Sequence, residues 1–184
     1  MPYPSQIDRD SIIKTARQMI EAEGVDKLLL RSLAESLGVK APSLYRYVKN
    51  KTALLRAINE RTTRELIEKL YNAADENLPA RERLIAVARA FRQFVHENPA
   101  CYMLSSNTPP DETRPDANER EESVLPLQQI ISEITGEAES LAAIRGAYAF
   151  MHGWVMLEVM QQFERGGDLD SHYERSFRAY IAGW

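Results

Sequence analysis

Apolar residues along the chain recur at intervals of three and four, and no stretch alternates with period two for long enough to specify a strand. The pattern predicts an all-α protein. The first helix places Ile12, Ile13, Ala16, Met19 and Ile20 on one face, with Asp8 or Asp10 as its cap and Gly24 as its stop. Leu30, Leu33, Ala34 and Leu37 define a second helix that ends at Gly38. Ala41-Pro42 opens a third, about two turns long, with Leu44 and Val48 turned inward; proline is tolerated there because first-turn N–H groups have no helical partner. A longer helix follows Asn50 and carries Leu54, Leu55, Ile58, Leu66 and Leu70 to about Ala74.

Past Asn77, Pro79 opens a helix with Leu84, Val87, Ala88, Phe91 and Val95 in register, and "ENPA" at 97–100 breaks it. A short helical turn fits Cys101 to Leu104, and residues 105–119, with three prolines and almost nothing apolar, read as a surface loop. Asn118 with Glu121 offers a capping box for a helix bearing Val124, Leu127, Ile131 and Ile134, in which Pro126 either introduces a kink or marks the first turn. From Glu137 to about Glu164 runs the most apolar helix. Leu141, Ile144, Tyr148, Met151 and Val155 lie on one side and Gly146, Phe150, Gly153, Leu157 and Met160 towards the other, a distribution that predicts burial on both. "RGGDLDS" turns the chain, Ser171 with Glu174 forms a second capping box, and the last helix aligns Tyr173, Phe177, Tyr180, Ile181 and Trp184.

The net charge of −4 over 184 residues argues mildly against a polyanion partner until the chain is divided. Residues 1–64 carry 12 Lys and Arg against 7 Asp and Glu, net +5, while residues 65–184 carry 11 against 20, net −9. A basic head on an acidic body is the charge pattern of a polyanion-binding module joined to a part that does not bind polyanions, although surface charge also fluctuates without function. The single Cys101 excludes an intrachain disulfide framework and fits a reducing compartment. "MPYPSQIDRD" lacks a secretory pattern, and the stretch 146–157 is too short to span a bilayer, so a cytoplasmic chain without membrane spans is expected.

The two short helices separated by Leu37-Gly38-Val39 have the arithmetic of a helix-turn-helix, whose second helix enters a DNA major groove. With Leu44 and Val48 inward, Lys40, Ser43, Tyr45, Arg46, Tyr47 and Lys49 supply outward donors, and Lys51 follows at the start of the long helix. Lys40 stands where a helix cap is ordinarily Ser, Thr, Asp or Asn, and a cation there opposes the positive helix end by roughly 0.3–1 kcal/mol. A phosphate docked at that end would relieve the opposition; otherwise the ammonium simply points into water. Tyr45 and Tyr47 diverge by about 200° on a helix, so one is expected to pack its ring while the other is exposed.

The segment "IIKTARQMIEAEGVDKLLLRSLAESLGVKAPSLYRYVKNKTALLRAI", 12–58, resembles the DNA-binding domain of the TetR/AcrR family of transcriptional regulators. The likeness lies in Gly24, in Arg31 and Ala34, in Gly38-Val39 at the turn, in Leu44-Tyr45, and in Lys51 with Leu54. "AYAFMHGWVMLEV", 147–159, is similar to the penultimate helix of one C-terminal subgroup. The resemblance implies an all-α fold of about nine helices, with a three-helix helix-turn-helix DNA-binding domain in residues 1–50, a linking helix over 51–74 and a helical ligand-binding and dimerisation domain in 75–184. It implies a homodimer that holds double-stranded DNA at a palindromic operator, most simply as a repressor released by a small effector. Carried over by position, Ala41, Pro42 and Ser43 meet base edges, Tyr45, Tyr47 and Lys51 meet phosphates, and Arg31 faces the backbone, while the phosphate contact of Lys40 rests on its place at the helix start alone. Leu29 and Lys40 depart from the family pattern, which commonly has threonine and serine there.

The acidic half has no readable catalytic set. His96, Cys101 and His152 match neither a nucleophile-and-base signature nor close metal-ligand spacing, and no cofactor is expected. Phe91, Phe94, Tyr102, Met103, Tyr148, Met151, His152 and Met156 have the aromatic and thioether character of a pocket for a small, mostly apolar effector, though the same mix also fills ordinary cores. Gly146 and Gly153, seven apart on the penultimate helix, permit close approach of another backbone and favour a dimer surface there with the last helix. A helical adaptor that binds another protein, with its N-terminal helices only packing, is the competing class of function.

Overall fold

Asp8 caps the first helix: its carboxylate accepts from the Ser11 N–H at 2.7 Å while the Asp8 N–H donates to the Ser11 hydroxyl at 3.1 Å, a reciprocal box that leaves Asp10 as a first-turn acid. In the computed structural model, described for residues 7–107 and 117–184 with the side chains of 117–122 left aside, the chain is helical and the described residues form no strand. The helices are α1 (Arg9–Glu23), α2 (Leu30–Ser36), α3 (Ala41–Leu44), α4 (Lys51–Ala73), α5 (Ala80–Glu97), α6 (Pro99–Asn107), α7 (Ala117–Thr135), α8 (Glu137–Val159) and α9 (Leu169–Ala182), with a 3-10 turn at Val25–Lys27. No described helix is long and apolar enough to cross a membrane.

Two compact units divide the described chain: 7–64 with 98–107, and Glu65–Glu97 with Ala117–Trp184. This grouping differs from the sequence division at residues 50 and 74. The first part of α4 completes the head's core through Leu54, Ala57 and Ile58, and α6 joins the same core through the buried Cys101. In the head, Ile12, Ile20, Leu28, Leu33 and Leu44 are sealed from solvent. Gly38 takes φ +69°, which allows Val39 N–H to reach back to the Ala34 carbonyl at 2.9 Å and reverses the chain between α2 and α3. The α-helical part of α3 is one turn rather than two; Tyr45 N–H to Ala41 O and Val48 N–H to Leu44 O carry a looser turn on to Val48.

In the second unit α5 packs against α7, α8 and α9, and buries Leu84, Ile85, Val87, Ala88, Phe91, Phe94 and Val95. Phe150 and Trp154 of α8 meet Tyr173, Phe177 and Tyr180 of α9 with ring centroids 5.5–6.3 Å apart. A Cβ on Gly146 would run into the Tyr180 hydroxyl, which donates to the Ala143 carbonyl at 2.8 Å. That contact offsets the roughly 0.5–1 kcal/mol that glycine costs inside a helix. Gly153, by contrast, opens onto free space.

Five sequence expectations change. The stretch 105–119 is helical at both ends, as α6 continues to Asn107 and α7 begins at Ala117; Asn118 therefore lies inside α7, and its capping partner falls among side chains outside the described set. Pro126 is inside α7 and does not mark its first turn. α8 stops at Val159, where Gln162 N–H closes on the Leu157 carbonyl at 2.8 Å over a left-handed Gln161. α9 is capped by Asp168, which accepts from Ser171 N–H, so the helix starts one turn earlier than a Ser171 cap would allow; Glu174 pairs with Arg89 and Arg178 instead. The expected burial of α8 on both sides also fails: Leu141, Tyr148, Leu157 and Met160 are 42–55% exposed.

One charge pair lies deep in this unit. The Glu158 side chain, 3% exposed, accepts from Arg92 Nε at 2.7 Å and from Trp154 Nε1 at 3.1 Å, and His96 Nε2 stands 2.9 Å away. Burial pushes the Glu158 carboxyl up, but these donors outweigh it and hold the group below its ordinary value. Arg92→Ala leaves that carboxylate buried without its cation, so a stability loss of about 3–5 kcal/mol is expected. Urea unfolding followed by circular dichroism measures it, and a loss under about 1 kcal/mol would show that the pair is dispensable.

Candidate nucleic-acid interface

α3 is too short to hold its own shape, and Leu44, 0% exposed, with Val48, 6% exposed, anchors it to the head. Everything else on the segment faces outward or lies at its edge. Lys40 is the N-cap of α3, with φ −78° and ψ 145° and no side-chain capping bond, so its ammonium extends from the helix start into solvent. Pro42, Arg46 and Lys49 are exposed, while Ala41 and Ser43 are half-buried. Tyr45 and Tyr47 are 54% and 43% exposed, which corrects the expectation that one ring packs against a neighbour. Their divergence is accommodated because so short a segment offers the core only the Leu44 side.

The flanking cations behave differently from one another. Arg31 sits in the first turn of α2 and pairs with Glu35 at 3.1 Å, an exposed i, i+4 contact that a phosphate can displace. α2 starts at Leu30 behind Leu29, which is 59% exposed and makes no side-chain cap. Lys51 is half-buried, and its Nζ donates to the Val25 carbonyl at 3.0 Å, tying the start of α4 to the 3-10 turn. Two further ammonium protons remain for other acceptors. No local signal links positions 25 and 51, so this structural use of Lys51 was invisible in the sequence. Asn50 caps α4 by accepting from Ala53 N–H at 2.8 Å.

The effector candidates do not form one group. Phe91, Phe94 and Met151 are buried in the second unit; Tyr148 is half exposed, meets Phe91 edge-on at 6.2 Å and lies 5.8 Å from the His152 ring. Met156 is half-buried on α8. Tyr102 and Met103 belong to α6 and the first unit. Burial pushes the His152 ring below its ordinary 6.5, and burial also pushes the Cys101 thiol up to about 12. Among the described residues no group of three His, Cys, Asp or Glu side chains is arranged to hold a metal ion. The sequence reading missed a charged cleft of about 590 Å³ between α5 and α9, lined by Arg89, Arg92, Gln93, His96, Asp170 and Tyr173. Arg92 reaches Asp170 there at 2.7 Å.

Residues 12–58 match the family of bacterial regulatory proteins named for tetR, and residues 84–181, more than half the chain, match the tetracyclin repressor-like C-terminal domain. The chain belongs to the TetR family of transcriptional regulators. It is 28% identical over 159 residues to the HTH-type transcriptional regulator Rv0681 of Mycobacterium tuberculosis, covering 85% of this chain and 72% of that protein. Over 76 residues it is 38% identical to the class D tetracycline repressor protein of Escherichia coli, covering 41% of this chain and 32% of that one. In fold it is similar to a protein of unknown function from Rhodococcus sp. RHA1, with TM-score 0.85 at 23% identity and coverage of 100% and 98%. The head of this TetR-family regulator is thus a helix-turn-helix DNA-binding domain, and the adaptor reading of its N-terminal helices falls away. Members of the family bind DNA and small-molecule effectors as dimers and are generally not enzymes.

The lowered His152 value has a sign that can be checked. Below 6.5 the unfolded chain takes up a proton that the folded chain resists, so this contribution to stability is intact above 6.5 and is lost as pH falls through the lowered folded value. His152→Gln is therefore expected to flatten the decline of melting temperature between about pH 7 and pH 5. Thermal melts across that range measure it; parallel curves for the two proteins would exclude a strained neutral histidine.

Proposed function

We propose that this regulator is a homodimeric repressor that holds a palindromic operator and is released when a small, mostly apolar molecule enters the C-terminal unit. The observation that carries the DNA half of the reading is the exposed α3 segment, where an uncapped Lys40, two half-exposed tyrosines, Arg46 and Lys49 surround a core-facing Leu44 and Val48. In this reading Ala41, Pro42 and Ser43 approach base edges. Arg31, Lys40, Tyr45, Tyr47 and the remaining protons of Lys51 meet phosphates. Two-fold symmetry of the protein is matched by two half-sites about one helical turn apart.

Support for the dimer comes from apolar side chains that α8 and its end leave exposed. Leu141 and Tyr148 are exposed on one side, Leu157 and Met160 towards the other, and the space beside Gly153 is open. Apolar side chains in that number on one helix call for a cover, and a second copy presents the same side chains to it. The effector half rests on the contact of Phe91, Tyr148 and His152, with Phe94, Met151 and Met156 nearby on the same helices.

Filter binding at several salt concentrations tests the head. Each phosphate contact contributes about −0.9 to the slope of log affinity against log salt, so Lys40→Ala is expected to flatten the slope by about that amount for every duplex. Ser43→Ala should alter sequence preference instead and leave the slope alone. An unchanged slope for the lysine variant removes Lys40 from the interface. Tyr148→Glu is expected to shift sedimentation towards monomer and to weaken binding to a two-half-site duplex far more than to a single half-site; a stable dimer would move the interface elsewhere.

A further inference from the structure

The segment that begins with α3 keeps helical bonds past Leu44. Tyr45 N–H reaches the Ala41 carbonyl at 3.3 Å, Val48 N–H reaches the Leu44 carbonyl at 3.1 Å, and the Tyr45 backbone is right-handed helical. Successive side chains therefore turn by about 100° each. Leu44 and Val48, both buried, mark the inward direction. Arg46 lies two residues from each, about 200° round from Leu44, and so leaves the segment directly away from the core. Pro42, one turn earlier, shares that outermost direction to within about 40°, while Tyr45 and Tyr47 flank Arg46 at about 100° on either side.

A rod seated in a groove meets the floor with its outermost face and the walls with its flanks. In the major groove of B-form DNA the floor is made of base edges and the walls of phosphates. The flanking tyrosines thus fall to the walls, and the outermost pair, Pro42 and Arg46, to the floor. Of that pair only Arg46 brings hydrogen-bonding atoms.

The kind of donor narrows the base. Ala41 and Pro42 have no polar side-chain atom, Ser43 is half-buried with one short hydroxyl, and Lys40 and Lys49 end in point charges. Arg46 alone on the segment ends in a planar fork of N–H groups. Guanine offers two adjacent acceptors in the major groove, O6 and N7, whereas adenine pairs an acceptor with a donor, cytosine offers a donor and thymine a single acceptor beside its methyl group.

The fork is also uncommitted. In the same unit Arg31 pairs with Glu35 at 3.1 Å, Arg61 with Asp10 at 3.1 Å and Arg56 with Glu60 at 3.6 Å. Arg46 is exposed and, among the described residues, has no ion-pair or hydrogen-bond partner. Nothing in the head has to be broken before it meets a ligand.

We infer that Arg46 reads guanine: its guanidinium donates two N–H groups to O6 and N7 of one guanine in each half-site, so that each half of the operator carries a G·C pair at that place. The inference rests on the DNA-binding reading of α3 given above and adds to it the base that the segment selects. Pro42 and Ser43 shape the fit to neighbouring base edges, and Arg46 supplies the discrimination.

The test uses the full chain and a duplex that the wild-type protein selects from a random-sequence pool. Each guanine of a half-site, together with its symmetry mate, is replaced in turn by 7-deazaguanine, which lacks the N7 acceptor and keeps the base pair. At one guanine per half-site the replacement is expected to weaken wild-type binding about tenfold, while Arg46→Ala, weaker on the parent duplex, binds parent and modified duplex alike. Selection repeated with Arg46→Ala should lose the G·C preference at that position and keep the others. Should Arg46→Ala misfold, Arg46→Gln decides by the same comparison. Wild-type binding that tolerates every 7-deazaguanine overturns the inference, as does an arginine variant that retains the full guanine preference. Uniform weakening of all duplexes by Arg46→Ala, with the slope against salt flattened by about 0.9 and the preference intact, overturns it in favour of a phosphate contact. If the wild type selects no duplex over heparin, the assignment of α3 fails and this inference with it; a selected duplex without an Arg46-dependent guanine rejects this inference alone.

Discussion

The DNA-facing geometry depends on the burial of Leu44 and Val48. A helix of four residues has no stability of its own, since nucleation costs more than so few hydrogen bonds return. Its direction is set by sinking those two side chains into a core made by α1, α2 and the first part of α4. Once they are sunk, the exposure of Lys40, Tyr45, Arg46 and Tyr47 follows, because the remaining directions around so short a turn lead to solvent. Gly38 makes the docking possible by supplying the left-handed turn that brings α3 across α2.

Lys51 shows how tightly support and recognition are joined in this head. Its ammonium secures the 3-10 turn through the Val25 carbonyl and keeps two protons for the phosphate contact proposed for it. A compact cation with three donors can serve both ends, which a planar guanidinium spreading its donors in a fixed fork would do less readily. Asn50 and Lys51 together thus fix where α4 begins and where the recognition segment ends.

The second unit is organised around α5, which touches α7, α8 and α9. Two kinds of contact fasten α9 to it and to α8: aromatic rings from Phe150 to Tyr180, and the guanidinium of Arg92, which lies over the Tyr173 ring while gripping Glu158. Tyr173 further donates its buried hydroxyl to the Ala88 carbonyl at 2.9 Å. Outside this packing α8 keeps Leu141, Tyr148 and Leu157 exposed. The charged cleft beside α9 is of a different nature, for its ionic groups already satisfy one another.

Periodicity alone determined the all-helical class, the approximate span of most helices and the inward residues of the head, because a 3.6-residue repeat is a property of local geometry that the order of residues carries directly. The ordered run from Gly24 to Leu54 carried the family likeness for the same reason: its spacings are those of three consecutive short elements. Cap choice was less legible, since Asp168 and Ser171 both satisfy the local rule three residues apart and only the start of α9 at Leu169 decides between them. Tertiary structure alone decided that α6 closes the head's core, that Tyr45 and Tyr47 are both open to solvent, that Lys51 reaches Val25, and that α8 keeps Leu141, Tyr148 and Leu157 exposed. Each of these depends on which surfaces meet at separations of tens of residues, and an apolar residue is written the same way in the sequence whether its cover comes from its own chain or lies outside it.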